Sequence, residues 1–169
     1  GKTVASGSTD RSVRVWDIRS GRLTHNLAAN SQVWAMMYSP DGRSLLAGGL
    51  DYKLHVWDAH TGQLRQIVEG HSSSALSLIC SPGGQTLVSG HSHGRIYFWN
   101  IDLVSNTLSQ TTDSSQLQRV FQPVIENALQ AHDGWVTFLS MTPDNQILVS
   151  GGLDSVIRLW KKNDYDPYK

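Results

Sequence analysis

Four tryptophans, Trp16, Trp57, Trp99 and Trp160, each close a near-copy of one segment: "ASGSTDRSVRVWD" (5–17), "AGGLDYKLHVWD" (47–58), "SGHSHGRIYFWN" (89–100) and "SGGLDSVIRLWK" (150–161). Their spacings are 41, 42 and 61 residues, the last being one period of 42 lengthened by 19. "SPDG" (39–42), "SPGG" (81–84) and "TPDN" (142–145) stand ahead of the last three copies at matching distances. A period of this length means that one supersecondary unit recurs, and that no unit can bury its apolar face without its neighbours.

Each unit reads as short strands cut by Gly, Pro and Asp. "VWAMMYS" is apolar, "SLLAGGL" is short and ends on glycine, and "KLHVWD" and "QLRQIVEG" alternate. No segment carries a helical period, so the chain is expected to be all-β. The 169 residues carry no net charge, which excludes nucleic-acid binding driven by a basic surface. No apolar run approaches the roughly 18 residues of a membrane span. Cys80 is the only cysteine, so an internal disulfide is impossible, and within "ALSLICS" it reads as a small buried hydrophobe. A lone thiol and no N-x-S/T sequon fit a reducing compartment, so an intracellular, cytoplasmic protein is expected.

Four strands in a unit of about 42 residues, with a Gly-His or Ala-His pair ("EGH" 69–71, "QAH" 130–132) and a closing Trp-Asp, resemble one blade of the WD-repeat β-propeller family. The resemblance covers everything but the insertion and the tail, with repeats ending near 17, 58, 100 and 161. "GKTVAS" corresponds to "GRSLLA", so the first unit enters at its second strand and the last stops before its outer strand. The expectation is an incomplete ring of about 14 strands, two whole blades flanked by two partial ones, whereas a closed propeller needs roughly 4–8 blades. The chain begins at Gly1 and is expected to belong to a longer propeller, and to self-associate through open edges when isolated.

The resemblance further implies a buried hydrogen-bond chain of His, Ser, Asp and Trp in each blade, which anchors the tight turn and gives the indole N–H an acceptor. The last blade carries the full set, His132, Ser150, Asp154 and Trp160. The first has Ser6, Asp10 and Trp16; the second has Asp51 and Trp57 but Ala47 and Ala29 in the Ser and His slots; the third has His71, Ser89 and Trp99, with His93 in the Asp slot. His91 and His93, two apart, invite a metal-site reading, but alignment turns His93 into a substitute for the turn-anchoring Asp and His91 into extra bulk where the sister units have Ser8, Gly49 and Gly152. No CxxC, phosphate loop or HExxH helix accompanies them, so no cofactor or metal is expected.

What remains is a non-enzymatic scaffold that binds other proteins through the face bearing the Asp turns. By family resemblance the contacting positions are three and five after the His slot, and just before the Asp slot. They fall on Gln32, Trp34, Ser74, Leu76, Trp135 and Thr137, and on Thr9, Leu50, Ser92 and Leu153. Large apolar residues at exposed positions signal an interaction surface, tryptophan above all. The competing expectation is a recognition portion of a larger signalling or effector protein. Residues 102–119, with eleven Ser, Thr, Asn or Gln among eighteen, read as a loop on the opposite face, and 162–169 as a polar terminus or linker.

Overall fold

A computed structural model describes residues 1–100, 119–121 and 125–165. Its fifteen strands are β1 (Thr3–Gly7), β2 (Ser12–Asp17), β3 (Leu23–Ala28), β4 (Val33–Tyr38), β5 (Ser44–Gly49), β6 (Leu54–Asp58), β7 (Leu64–Val68), β8 (Ala75–Cys80), β9 (Thr86–His91), β10 (Arg95–Asn100), β11 (Arg119–Phe121), β12 (Ile125–Gln130), β13 (Val136–Met141), β14 (Ile147–Gly152) and β15 (Ile157–Lys161), followed by a short helix, α1 (Lys162–Tyr165). They form four sheets, ordered β1-β2-β3, β11-β7-β6-β5-β4, β12-β10-β9-β8 and β13-β14-β15. These are the four blades in sequence order, the first lacking its inner strand and the fourth its outer one.

Three apolar clusters lie between consecutive blades. Val13 and Val15 of the first blade meet Leu45 and Trp57 of the second. Leu54 and Val56 of the second meet Leu87 and Trp99 of the third. Ile96 and Phe98 of the third meet Leu139, Leu148 and Trp160 of the fourth. The alternation along each third strand explains this: the tryptophan faces the preceding blade, and the residues one and three before it face the following blade.

Two elements were not expected. β11 runs parallel to β7, pairing Arg119 with Gln66 and Phe121 with Val68, so the chain leaving the third blade caps the outer edge of the second before returning as β12. The stretch from Arg119 to Gln130 therefore contributes strands to two blades. Residues 102–118 of the expected loop lie outside the described residues. The segment from 162 is not merely polar tail: Tyr165 is buried, stacks on Phe98 with centroids 4.9 Å apart, and donates its hydroxyl to the Asn145 carbonyl. A lone aromatic pattern carries no periodicity from which such docking could be read.

Candidate docking face and its hydrogen-bond framework

The fourth blade assembles its four expected residues into one chain. The Trp160 indole N–H donates to Ser150 Oγ at 2.9 Å, and the Ser150 hydroxyl lies 2.8 Å from His132 Nε2. His132 Nδ1 lies 2.8 Å from Asp154 Oδ1, which assigns the ring proton to Nδ1, donated to the carboxylate. Arg158, four residues on, donates to Asp154 Oδ2 at 2.8 Å. Burial alone would raise the Asp154 carboxyl, but Arg158, His132 and the Val156 and Asp133 N–H groups outweigh it and hold the group well below the usual carboxylate range.

In the first, second and fourth blades the Asp also caps its turn, accepting the backbone N–H two residues ahead: Ser12, Lys53 and Val156. That cap holds the intervening residue left-handed, with φ of 69° at Arg11, 60° at Tyr52 and 63° at Ser155. In the third blade His93 replaces the Asp and Gly94 follows it at φ 83°. Glycine adopts that conformation without the penalty the Asp cap offsets elsewhere. A Cβ there would also strike the His132 carbonyl.

The third blade corrects the sequence reading. His91, not His71, closes the chain: Trp99 Nε1–H donates to Ser89 Oγ at 2.7 Å, Ser89 Oγ lies 2.8 Å from His91 Nε2, and His91 Nδ1 lies 3.1 Å from the Ser73 carbonyl. The Ser73 carbonyl thus stands where Asp154 stands in the fourth blade. His71 is left 8% exposed, packed at a tilt against Trp99 with centroids 4.2 Å apart and stacked on His91 at 5.1 Å, and neither ring nitrogen has a hydrogen-bond partner among the described residues. The reason is steric. A Cβ on Gly152 would come within 2.7 Å of His132 Nδ1, so only a glycine there leaves the loop histidine its slot. At the matching position the third blade carries the His91 ring. Burial pushes the His71 imidazole down to about 4, against a weak pull from Asp51. Burial and the neighbouring His71 push His91 down to about 3. His93 sits in the expected turn, with Nδ1 2.9 Å from Ser73 Oγ and Nε2 3.1 Å from the Tyr97 hydroxyl. Among the described residues no group of three or more His, Cys, Asp or Glu is arranged to hold a metal ion.

The position four after the Asp slot was overlooked. It holds Arg14, His55, Tyr97 and Arg158, each bonded to Asp10, Asp51, His93 and Asp154 respectively. The repeated i, i+4 complementarity was its signal. In the second blade, which lacks the Ser and His, His55 takes part of their place: Nε2 is 2.9 Å from Asp51 Oδ2 and the ring stacks on Trp57. In the first blade Trp16 reaches Ser6 Oγ at 3.4 Å.

The framework fixes the candidate docking positions. In the second, third and fourth blades the residue before the Asp slot donates its N–H to the carbonyl of the inner-strand position three after the His slot: Leu50 to Gln32, Ser92 to Ser74, and Leu153 to Trp135. The fifth position lies at a β-bulge in every inner strand, where the register shifts across Trp34, Leu76 and Thr137. A bulge leaves the extra residue unpaired and re-aims its side chain. Trp34, Leu50, Trp135 and Leu153 are exposed, as are Thr9 and Thr137. Gln32, Leu76 and Ser92 are half-buried. Ser74 is buried and presents no side chain to the surface, contrary to expectation. The face is therefore apolar on the second and fourth blades and polar on the third.

The sequence pattern described as "WD domain, G-beta repeat" matches residues 1–17, 21–58, 62–100 and 123–161. Target of rapamycin complex subunit wat1 of Schizosaccharomyces pombe is 24% identical over 97% of this chain and 48% of its own length. Target of rapamycin complex subunit LST8 of Saccharomyces cerevisiae is 28% identical over 95% of this chain and 49% of its own. A chain in the crystal structure of the mitotic checkpoint complex superposes with a TM-score of 0.76 at 26% identity, covering 95% of this chain and 46% of that one. The chain spans about half the length of these relatives.

Proposed function

The chain belongs to the WD-repeat family, and from that premise we propose that it is a non-enzymatic scaffold that binds protein partners through the face bearing its Asp turns. The observation that carries this reading is the exposure of Trp34, Leu50, Trp135 and Leu153 on that face, four large apolar side chains held there by backbone hydrogen bonds from Leu50 to Gln32 and from Leu153 to Trp135. Water-exposed apolar surface of this kind stabilises a complex when a partner removes it from solvent, and tryptophan contributes most per residue. The His, Ser and Asp of the fourth blade are committed to one another and to Trp160, which leaves no free nucleophile or base among them. The two related proteins named above are subunits of a target of rapamycin complex, which supports a place in an assembly for this chain as well. No helix among the described residues is long and apolar enough to cross a membrane.

The test is affinity capture with the double variant Trp34→Ala/Trp135→Ala beside the unmodified chain. Loss of capture with an unchanged circular dichroism spectrum is the expected result. Retained capture by a folded double variant removes this face from consideration.

A further inference from the structure

The chain holds two Asp-Gly steps, Asp41–Gly42 and Asp133–Gly134. In such a step the aspartate carboxyl and the following backbone nitrogen can join, because glycine has no side chain to screen its nitrogen. Both aspartates are exposed, so burial does not separate the two steps. Hydrogen bonding does. Gly42 donates its N–H to the Ser39 carbonyl at 2.8 Å, and Asp41 Oδ1 accepts the Ser39 hydroxyl at 2.6 Å and the Arg43 N–H at 3.0 Å. The turn thus holds both reacting groups in place. Among the described residues, neither the Gly134 N–H nor the Asp133 carboxylate has a hydrogen-bond or ion-pair partner. A Cβ built on Gly134 would meet only the Leu153 Cβ, at 3.8 Å, so no neighbour crowds the approach.

We propose that Asp133–Gly134 is a site of spontaneous isoaspartate formation, and that its turn protects Asp41–Gly42 from the same reaction. Gly134 N attacks Asp133 Cγ, a Cγ–O bond breaks, and water leaves with the amide proton and one proton from solvent. The succinimide then adds water at the former Asp133 carbonyl carbon, the bond from that carbon to Gly134 N breaks, and a proton returns to solvent. The main chain now runs through Cβ and Cγ, one methylene longer, with a free α-carboxylate beside it and no change in mass. The extra methylene falls between two anchors. Asp133 donates its N–H to Asp154 Oδ2 at 3.3 Å, and the Trp135 carbonyl accepts the Leu153 N–H at 3.0 Å. His132 and Arg158 tie Asp154 further, so the displacement falls on Trp135. Trp135 belongs to the face assigned above to protein partners, and its displacement bears on that reading, whereas the conversion itself is independent of it.

The test is incubation of the folded chain at neutral pH, then methyl transfer from labelled S-adenosylmethionine by a protein-isoaspartate methyltransferase, then peptide mapping. Label is expected to accumulate at 133–134 at least about tenfold faster than at 41–42, since the bonds of the 39–43 turn must break before that step reacts. Unfolding in urea frees both steps and is expected to close the gap. Asp133→Glu, whose side chain would have to close a larger ring, is expected to lose the label at 133–134 with an unchanged circular dichroism spectrum. In the aged wild type the Trp135 indole NMR resonance is expected to split in proportion to the label, and in the glutamate variant to stay single. No label at 133–134 in the folded chain, equal labelling of the two steps, a gap that persists in urea, or label that survives in Asp133→Glu overturns the proposal. A single Trp135 resonance in a labelled chain overturns the effect on the face.

Discussion

The third and fourth blades perform the same task with different residues. Both satisfy the tryptophan indole N–H through a serine and a histidine, with the indole–serine bond at 2.7 Å and 2.9 Å. In the fourth blade the histidine arrives from the loop before the inner strand and ends on a carboxylate. In the third it arrives from the end of the second strand and ends on a backbone carbonyl, with the displaced loop histidine packed against the indole as if it were apolar. The difference teaches that the fixed requirement is an acceptor for the indole N–H and a ring to orient it. Which strand supplies the ring is decided by one small residue, glycine or not, at the strand's end.

The sharpest way to break this comparison is to remove the indoles. Trp99 is completely buried, so Trp99→Ala is expected to cost about 3–5 kcal/mol in urea denaturation. Trp160 makes the same bond but is only partly covered, and its loss is expected to cost less, about 2 kcal/mol. Equal costs would mean that the hydrogen bond, not the burial, dominates.

The two blades also part company with pH. His71 and His91 are held below their ordinary 6.5, so the unfolded chain takes up their protons first. Their contribution is complete above pH 6.5 and falls as the pH drops toward 4 for His71 and 3 for His91. For His71 alone this is on the order of 3 kcal/mol. Asp154 works the other way round in range: its carboxyl is lowered from 3.8, so its contribution persists to that pH and is lost only below it. Thermal melting between pH 7.5 and 4 is therefore expected to fall steeply for the wild type and more gently for His71→Phe. Identical slopes would remove His71 as the source.

Gly152→Ala tests the steric reason directly. The added methyl meets the His132 ring, and a cost of about 1–3 kcal/mol is expected, with loss of the His132–Asp154 bond in the imidazole NMR spectrum. The smallest effect is reserved for His71→Phe at pH 7.5. Replacing a ring whose nitrogens are unpartnered by one with none is expected to leave stability unchanged or raise it by about 1 kcal/mol. A large loss would show that His71 has a polar role.

Much of this was legible in the repeat. The phase of the four tryptophans gave the blades, the missing first and last strands, and the turns at Asp10, Asp51 and Asp154, because a strand's period of two and a turn's preference for Asp or Gly are local properties. The same alignment pointed to Trp34, Leu50, Trp135 and Leu153, all of which are exposed. The third-blade chemistry did not, because alignment equates positions, whereas His91 and His71 compete for a volume. β11 on the edge of the second blade and Tyr165 on Phe98 were hidden for a related reason. Both are contacts between segments far apart in sequence, made by stretches too short to carry a pattern.

The amino-acid sequence by itself determined that this chain builds β-blades at a fixed period, each with a tryptophan to satisfy and an Asp or His-Gly turn to hold. Only the tertiary structure decided which histidine satisfies the indole and which candidate side chains reach the surface. Those outcomes depend on excluded volume and on what the next blade covers, and neither is written in any one residue's identity.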